Sequence, residues 1–457
     1  MTRVLIVGAG PAGIRAAETL VAAGLRPVVV DEGIRAGGQI YRRPPEGFVR
    51  PPRALYGTEA GKAMHLHETF DGLVQADKVD YRPRCSVLGL RDGMAQVLGP
   101  EGVFGVSYDC LILSPGATDR LAPVPGWQMA GVYTLGAAQI ALKSQGVALG
   151  RRIVLAGSGP LLTLVASQLM AAGAGLAAVL DTAPWRAQFR GGIGMALARP
   201  GVTLRGLRLR AGLGKLYRAG VSLTEIEGDG GSPSAVNWRD ARGRHHRTAC
   251  DTVALGWHLR AETALADLAG AEFAWSDTWA QWLPDADPAG RARKGVYLAG
   301  DGMSLMGADG AEIAGRLAGR VCLADLGYSL DRAAQTRDIR RKRRMARFAN
   351  SVAAAFPWPA EMVRSSPDDT VLCRCEGITA GELRRSLALS GPDANRAKSL
   401  SRVGMGRCQG RYCQVAAAEV TAARAGCDPA DVGRLRSQPP VRPVPLGMLA
   451  AGAETRD

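Results

Sequence analysis

The chain opens with a short apolar run that is followed at once by glycines and then by a longer helical pattern. Val4 to Val7 has the continuous apolar character of a strand that is buried on both faces. The helical stretch extends to about Ala23, and a second apolar segment, Pro27 to Val30, ends at an acidic residue. This succession of strand, helix and strand predicts a parallel sheet and a protein of the α/β class.

A second apolar stretch, Ile153 to Leu180, has 28 residues without a charge, which is long enough to span a bilayer. It is interrupted by Gly157-Ser-Gly159-Pro160 near its start and by Gly173 and Gly175 near its end. These breaks predict a strand, a glycine turn, a buried helix and a second strand inside an α/β domain. We therefore expect no membrane span.

The glycines after the first strand form a complete dinucleotide-binding fingerprint. It consists of Gly8, Gly10, Pro11, Ala12 and Gly13. Gly8 allows the tight turn, Gly10 lets the backbone approach a diphosphate, and Gly13 permits close packing of helix on strand. The N–H groups at the start of the helix would hold the diphosphate. The acidic pair Asp31 and Glu32 completes the predicted site, since Asp31 stands where a carboxylate accepts hydrogen bonds from an adenosine ribose.

Three further segments indicate that the dinucleotide is FAD. The crossover in LILSPGATDR has Ser114-Pro-Gly116 where two-dinucleotide-domain flavoproteins usually have Ala-Thr-Gly. The segment YLAGDG, with Gly300 and Asp301, resembles their second FAD motif, whose aspartate contacts the ribityl chain. The helix after it, predicted from about Ala308 to Leu317, would direct its N-terminus at the flavin. Gly37-Gly38-Gln39 resembles the loop under the isoalloxazine ring in thioredoxin-reductase-like proteins.

Between these segments lies an insertion whose own fingerprint is altered. Leu162 stands where an NAD(P)H-binding domain would have its third glycine. A leucine there separates the helix from the strand and alters the diphosphate pocket. Asp181 ends the following strand, so we expect the fold to persist. We disfavour NAD(P)H as its ligand and expect either a packed, empty domain or one that holds another adenine nucleotide.

Four of the nine cysteines lie within 41 residues near the C-terminus, as Cys373-Arg-Cys375 and Cys408-x4-Cys413. Thiolates at such spacings select soft metal centres, namely zinc or an iron–sulfur cluster. A capping box, Thr379-Ala-Gly-Glu382, predicts that a helix begins just after the first pair. An alanine-rich helix is predicted to follow the second pair, so the cysteines would lie on loops at helix N-termini.

Three arginines are interleaved with these cysteines, namely Arg374, Arg407 and Arg411. An all-thiolate [2Fe–2S] centre is anionic and gains further negative charge on reduction, so nearby cations favour its reduced state. This arrangement favours a redox-active centre that accepts electrons over a structural metal site. A structural zinc site remains the alternative, because four thiolates are also a structural zinc set.

Length, charge and termini limit the class of protein further. A chain of 457 residues is too long for one ordinary core and suggests two or three domains. It shows no secretory signal, so we expect a cytoplasmic location, where paired cysteines more often bind metal than form disulfides. The net charge of +15 comes from arginine spread along the chain without a nucleic-acid motif, so no nucleic-acid partner is expected. The dense run Arg340 to Arg344 is interpreted as a solvated helix face in preference to a docking patch for an acidic partner or anionic lipid.

The motifs together resemble the alpha subunits of heteromeric flavin-dependent amine and amino-acid dehydrogenases, the group of opine oxidases, hydrogen cyanide synthase and hydroxyproline or proline dehydrogenase complexes. The resemblance rests on GAGPAG with DEGIRAGGQIYR, the altered GSGPLL, YLAGDG, and CRCEGIT with GMGRCQGRYC. The last module is similar to bacterioferritin-associated ferredoxin, although that family usually closes with CxxC where this chain has Cys408-x4-Cys413.

The resemblance implies an electron-relay subunit. In that group a separate FAD-dependent beta subunit, similar to D-amino-acid or sarcosine oxidases, oxidises the substrate, and a small ferredoxin-like third subunit can be present. The alpha subunit passes electrons through its flavin and cluster to a quinone or another acceptor, in the cytoplasm or peripherally at the inner face of the plasma membrane. We find no catalytic base, because His245 and His246 lie in an expected exposed hairpin and His258 is expected to be structural. The alternatives are a self-sufficient NAD(P)H:acceptor reductase and a non-catalytic zinc-bearing subunit.

The predicted fold is therefore an α/β, two-dinucleotide-binding-domain (Rossmann-like) flavoprotein with a small helical C-terminal domain in which cysteines hold a [2Fe–2S] cluster. We predict a split FAD-binding domain at 1–120 and 286–330, an inserted NAD(P)-domain-like fold at 121–285, a basic linker at 331–369, the cluster domain at 370–425 and a tail at 426–457.

Overall fold

The computed structural model describes residues 2–229 and 231–454. In chain order the strands are β1 (Val4–Val7), β2 (Val28–Val30), β3 (Asp80–Arg82), β4 (Ser86–Arg91), β5 (Met94–Gly99), β6 (Gly102–Ser107), β7 (Cys110–Leu113), β8 (Ala117–Asp119), β9 (Val132–Thr134), β10 (Ile153–Ser158), β11 (Leu176–Asp181), β12 (Tyr217–Ala219), β13 (Ser222–Asp229), β14 (Ser232–Arg239), β15 (His245–Ala249), β16 (Thr252–Trp257), β17 (Leu259–Ala261), β18 (Phe273–Ser276), β19 (Gln281–Pro284), β20 (Arg291–Arg293), β21 (Val296–Leu298), β22 (Val371–Cys373) and β23 (Ile378–Thr379).

The α-helices, in the same order, are α1 (Pro11–Ala22), α2 (Pro52–Tyr56), α3 (Ala60–Gln75), α4 (Leu135–Ile140), α5 (Pro160–Ala171), α6 (Trp185–Ala198), α7 (Pro200–Gly212), α8 (Ala264–Leu268), α9 (Gly307–Asp325), α10 (Arg332–Ala355), α11 (Ala360–Arg364), α12 (Ala380–Ser390), α13 (Ala394–Ser401), α14 (Gln414–Ala425), α15 (Pro429–Val432) and α16 (Leu446–Glu454). Short 3-10 turns occur at Gly57–Glu59, Gly214–Leu216 and Gly300–Gly302, and a π turn occurs at Ala141–Gln145.

The first sheet has the strand order β20-β21-β7-β1-β2-β3. Its central strands are parallel, with Val4 opposite Cys110 and Leu5 opposite Val28. Every residue of β1 and β7 is buried, which explains their uninterrupted apolar sequences. Helices α1 and α9 pack together on one face so closely that a Cβ on Gly315 would lie 2.0 Å from the carbonyl oxygen of Ala12. Helix α9 continues beyond its predicted end at Leu317 because its last turns bury further apolar side chains.

The second sheet, β12-β11-β10-β16-β9, is entirely parallel. The uncharged stretch Ile153 to Leu180 forms β10, α5 and most of β11, as predicted. Within residues 2–229 and 231–454, no helix is long and apolar enough to cross a membrane. The stretch is uncharged because both its strands and its helix lie inside the domain.

The segment expected to be a linker contains a 24-residue helix, α10, that packs firmly on α6. A Cβ on Gly191 of α6 would lie only 2.5 Å from the backbone nitrogen of Ala355. The basic run lies on this helix and all of its residues except Lys342 are exposed, as expected of a solvated face. Lys342 donates to the carbonyl of Pro288 (2.9 Å), and Arg344 donates to that of Ala198 (2.8 Å). The alanines and the valine near the C-terminal end of the helix are buried. Their helical spacing is not evident in the sequence, because the preceding arginines dominate the segment.

The C-terminal module is helical, and its predicted capping box is present at Thr379 and Glu382. It shares one hydrophobic core with the second sheet, in which Cys373 and Cys413 pack with Trp257 and its neighbours. Trp127 donates from Nε1 to the carbonyl of Val371 (2.6 Å), which fixes the strand that leads to the first cysteine. The tail contains α15 and α16, and between them the N–H of Val441 donates to the carbonyl of Leu88 in β4 (2.8 Å).

Candidate functional site

The fingerprint glycines lie where β1 ends and α1 begins. Gly8 has φ +101°, and a Cβ there would lie 2.3 Å from the carbonyl oxygen of Ser114. A Cβ on Gly13 would lie 1.8 Å from the carbonyl oxygen of Gly8, so the helix approaches the strand too closely for any side chain. Pro11 occupies the first helical turn after Gly10, so the helix begins at the carboxyl edge of the sheet with a residue that has no N–H to satisfy. The geometry is that of a diphosphate cradle.

The acidic pair after β2 divides into two different environments. Asp31 accepts hydrogen bonds from the backbone N–H groups of Ala9 (2.5 Å) and Gly33 (2.6 Å). Burial raises the pKa of Asp31, and these two backbone donors oppose that effect. Glu32 is exposed and forms an ion pair with Arg442 of the tail. The carboxylate of Asp31 thus stabilises the turn by accepting hydrogen bonds from the backbone, whereas the side chain of Glu32 lies on the surface.

The loop of Gly37, Gly38 and Gln39 lies directly on the fingerprint. The N–H of Gly37 donates to the carbonyl of Ala9 (2.8 Å), and a Cβ on Gly38 would lie 2.9 Å from the Cα of Gly10. Gln39 is exposed and accepts a hydrogen bond from Arg42. From the inserted domain, Lys143 reaches this loop at the carbonyl of Ile40 (3.2 Å), and burial lowers the pKa of Lys143 to about 8.

The crossover and the second motif meet the fingerprint from the other side. The hydroxyl of Ser114 donates to the carbonyls of Val7 and Gly8, and Gly116 follows with φ +74°. Gly300 lies against α1, since a Cβ there would come within 3.0 Å of Ala12 Cβ. Asp301 accepts from the N–H groups of Met306 (2.9 Å) and Gly307 (3.0 Å), while burial raises its pKa. All the segments predicted for the flavin therefore converge at one edge of the first sheet.

The corresponding turn of the second sheet is filled by protein. Leu162 is fully buried in the core between α5 and the sheet. Asp181 accepts hydrogen bonds from the Tyr217 hydroxyl (2.5 Å) and the Ala183 N–H (2.8 Å), and burial raises its pKa to about 6. The ring of His258 lies 3.1 Å from a Cβ built on Gly159, at the point where a diphosphate would approach. The side chains of Tyr217 and His258 thus distinguish this turn from the fingerprint turn of the first sheet.

His258 has a structural environment, as expected from its sequence position. Its Nε2 lies 2.6 Å from the carbonyl oxygen of Phe356, and its ring meets those of Trp279 and Phe356 edge-on. Burial lowers the pKa of His258 to about 4, so the ring is neutral at pH 7 and donates to that carbonyl. The histidine therefore ties the inserted domain to the end of α10.

The four cysteines of the C-terminal module come together in two hydrogen-bonded pairs, Cys373 with Cys413 and Cys375 with Cys408. Cys373 and Cys413 are buried, whereas Cys375 is exposed. The hydrogen bond from Cys413, aided by backbone N–H groups that include that of Gly404, lowers the pKa of Cys373 to about 6. The hydrogen bond to Cys373, together with burial and the neighbouring sulfurs, raises the pKa of Cys413.

This donor set fits a thiolate-ligated centre in its chemistry, because four sulfurs and several backbone N–H groups face one another. The sulfurs are nevertheless arranged as two pairs. Among residues 2–229 and 231–454, no three His, Cys, Asp or Glu side chains have an arrangement that could hold a metal ion. Of the three interleaved arginines, Arg374 and Arg407 are exposed and only Arg411 points into the protein.

Arg411 joins the cysteine loop to the flavin crossover. Its Nε donates to Glu262 (2.6 Å), and the backbone N–H of Glu262 donates to the carbonyl of Gly116 (3.1 Å). Next to it, burial raises the pKa of the Tyr412 hydroxyl, which lies close to Thr118. The cysteine module is thus seated on the segment that carries Gly116. No sequence signal pointed to Glu262, because a single acid in a loop has no distinguishing pattern.

The tail closes over the same junction. Arg442 pairs with Glu32 and lies 3.5 Å from Glu262 through Nη1. Val441 donates to the carbonyl of Leu88 (2.8 Å) and accepts from Arg411 Nη2 (2.8 Å). The tail therefore connects the cysteine loop with the side of the first sheet that bears the acidic pair, a role that its sequence pattern did not predict.

Comparisons with known proteins agree with this architecture. Residues 2–315 match the family described as pyridine nucleotide-disulphide oxidoreductase, and residues 377–453 match the sarcosine oxidase A3 domain. The A-type subunit of opine oxidase from Rhizobium meliloti is 38% identical over 98% of this chain and 87% of the relative. The HcnB subunit of hydrogen cyanide synthase from Pseudomonas protegens is 33% identical over 97% of this chain and 96% of the relative.

Among solved structures, L-proline dehydrogenase from P. horikoshii has the same fold, with a TM-score of 0.72 and 19% identity over 98% of this chain and 80% of that one. The predicted Rossmann-like α/β fold is confirmed. The iron–sulfur domain stays a prediction.

Proposed function

This chain belongs to the pyridine nucleotide-disulphide oxidoreductase family of flavin-dependent oxidoreductases, within the group of opine oxidase A-type subunits, and we propose that it is an electron-relay subunit. In this proposal it holds FAD and a [2Fe–2S] cluster and works within a heteromeric amine or amino-acid dehydrogenase. The observation that carries the proposal is the contact between Arg411, in the cysteine loop, and Glu262, on the segment that bonds to Gly116.

The flavin is assigned to the edge of the first sheet. The backbone around Gly8, Gly10 and Gly13 would hold the diphosphate, Asp31 and Glu32 would lie towards the adenosine, and Gly116 and the helix after Asp301 would lie towards the ring. FAD bound there would supply the exchange between two-electron and one-electron chemistry that a relay needs. The residues at this edge would bind and orient the cofactor.

The cluster is assigned to Cys373, Cys375, Cys408 and Cys413. Arg411 and the buried Arg260 supply positive charge near these sulfurs, and positive charge favours added electrons. The hydrogen bond from Arg411 to Glu262 keeps the cysteine loop beside the segment that contains Gly116. Zinc could be bound by the same four thiolates, but it has no redox chemistry and could not relay electrons. The identity of the metal therefore decides between the two functions.

Substrate oxidation is assigned to a partner protein. The relatives are described as components of larger enzymes, such as the A-type subunit of opine oxidase and the alpha subunit of sarcosine oxidase, which supports a heteromeric assembly. We propose that the partner is a FAD-dependent beta subunit and that the substrate is an opine, proline, hydroxyproline or glycine. The proposal also includes a quinone or similar final acceptor and a cytoplasmic location. The filled turn around Leu162 and Asp181 counts against a self-sufficient NAD(P)H reductase.

The experiment is purification of the chain with its co-expressed partner, followed by flavin, iron, sulfide and zinc analysis. We expect the preparation to contain FAD. We also expect iron and acid-labile sulfide, with as much iron as sulfide. A preparation that contains zinc and no sulfide would reject the relay. Rapid bleaching of the isolated chain's flavin by NADH would favour the reductase instead.

A further inference from the structure

Helix α6 carries a row of large apolar side chains that face solvent. The exposed fractions are 63% for Trp185, 61% for Phe189, 52% for Ile193 and 82% for Leu197. Their four-residue spacing places them along one side of the helix over about 18 Å. Helix α7 follows directly and adds two further exposed leucines, Leu204 and Leu207. We refer to these six residues as the apolar face.

The apolar face points outward because the opposite side of α6 is fixed by packing. Gly191 and Gly194 lie against α10, where added Cβ atoms would come within 2.5 Å of Ala355 and Ser351. The rings of Trp185 and Phe189 are 5.7 Å apart between centroids and support each other on the surface. Rotation of the helix to bury the row would break the glycine contact with α10.

Cations surround the apolar face, and acids are absent from its sequence. Residues 182–224 contain eight Arg and Lys residues and no Asp or Glu. Two of the arginines are paired with acids from other elements, Arg199 with Asp309 and Arg205 with Glu59.

Three other arginines beside the apolar face have side chains that are exposed to solvent. Arg186, Arg190 and Arg208 are exposed, and in the described part of the chain they have no acidic partner.

The exposed positions of both helices offer no hydrogen-bond acceptor side chain. They consist only of apolar residues, glycine, proline and arginine. A specific protein interface carries about one hydrogen bond per 100–200 Å², with donors and acceptors on both sides. An anionic membrane surface needs no such matching, since it presents an acyl layer and negative headgroups over a continuous plane.

We propose that the apolar face docks this protein on a membrane that contains anionic lipid. Trp185, Phe189 and their neighbours enter the headgroup–acyl boundary, and the exposed arginines contact the phosphates. The attachment is peripheral. The inference does not depend on the electron-relay function, because it uses a different part of the molecule.

The test is co-sedimentation of the full chain with vesicles of phosphatidylcholine alone and of phosphatidylcholine mixed with phosphatidylglycerol. We expect binding to the anionic vesicles that weakens at high salt and weak binding to the neutral ones. The double variant Trp185→Ser/Phe189→Ser should bind at least about tenfold more weakly, because two aromatic side chains no longer enter the lipid. Arg186→Gln/Arg190→Gln should weaken binding to anionic vesicles alone.

Two matched controls lie elsewhere on the surface. Leu389→Ser removes an apolar side chain that is 84% exposed on α12, and Arg91→Gln/Arg239→Gln removes two exposed cations. Both controls should bind vesicles like the unchanged chain. Thermal melting should show that every variant is folded, since all of these side chains are exposed.

Absence of binding to anionic vesicles would overturn the proposal, as would equal losses in variants and controls. If the Trp185→Ser/Phe189→Ser variant binds vesicles normally but no longer co-purifies with its partner protein, the face is a protein interface and the proposal is wrong. None of these measurements requires flavin, metal or turnover. The membrane proposal can therefore be rejected without rejecting the relay function.

Discussion

The Nε of Arg411 donates a 2.6 Å hydrogen bond to Glu262 across the junction between the cysteine loop and the segment that bonds to Gly116. The side chains are only 12% and 7% exposed, so this ion pair lies in a poorly solvated place. Arg442 approaches the same carboxylate from the tail. One acid thus holds together three parts of the chain that lie far apart in sequence.

Replacing Glu262 with Gln should destabilise the protein by about 3 kcal/mol, because the largely buried guanidinium of Arg411 loses its counter-charge, while Arg442 keeps its pairing with Glu32. The free energy of unfolding in urea measures this. The matched control is Asp92→Asn, which breaks the fully exposed pair with Arg91 and should change stability by less than about 0.5 kcal/mol. Equal stability of the Glu262→Gln protein and the unchanged protein would show that the junction is not held by this acid.

Replacing Cys413 with Ser should remove iron and sulfide from the purified protein while leaving its FAD. Cys413 is buried among the sulfurs and directly precedes α14, whereas the flavin segments lie on the first sheet. Cys427→Ser is the control, since Cys427 stands outside the four-cysteine set, and it should keep both cofactors. Retention of the full iron content by Cys413→Ser would contradict the assignment of this residue as a ligand.

Restoring the missing glycine should not create an NAD(P)H site. Leu162→Gly removes a fully buried side chain from a helix and should cost about 3 kcal/mol or more through the cavity and the loss of helix propensity. Asp181 and His258 would still fill the turn. Thermal melting and titration with NADH check both parts. Flavin bleaching by NADH in the Leu162→Gly protein would show that the glycine alone had been limiting.

The two buried histidines, His67 and His258, should make the protein less stable as the pH falls from about 7 to about 5, and Asp181, whose pKa burial raises to about 6, should offset a smaller part of that loss. Burial lowers the pKa of both His67 and His258 to about 4 in the folded state, below the ordinary value of 6.5. At these two histidines the unfolded chain therefore binds more protons in this range, and their contribution to stability falls as the pH decreases. His258 should account for up to about 2 kcal/mol of the loss at about pH 5.

Unfolding curves at the two pH values measure this loss, and His258→Gln keeps a side-chain donor for the Phe356 carbonyl. The variant should lose less stability on acidification than the unchanged chain. An identical pH response of the two proteins would contradict the assignment to His258.

Local patterns in the sequence were enough to predict the elements that form the edge of the first sheet to which we assign the flavin. Val4 to Val7 and the glycines after it have fixed spacings, and the capping box at Thr379 was found as predicted. The Arg411–Glu262 contact could not be predicted, because its partners lie 149 residues apart and neither belongs to a periodic pattern. Helix α10 was underestimated since its arginines dominate the sequence while its small buried residues give a weak signal.

The central claim is that electrons from a partner protein's substrate reach the flavin and the cysteine-bound cluster of this chain. Anaerobic titration of the purified complex with its substrate, followed by visible absorption and EPR, tests it most directly. The account predicts loss of flavin absorbance together with the EPR signal of a reduced [2Fe–2S] cluster, and no change on addition of NADH. Flavin reduction without any iron–sulfur signal, or reduction of the chain by NADH alone, would contradict it.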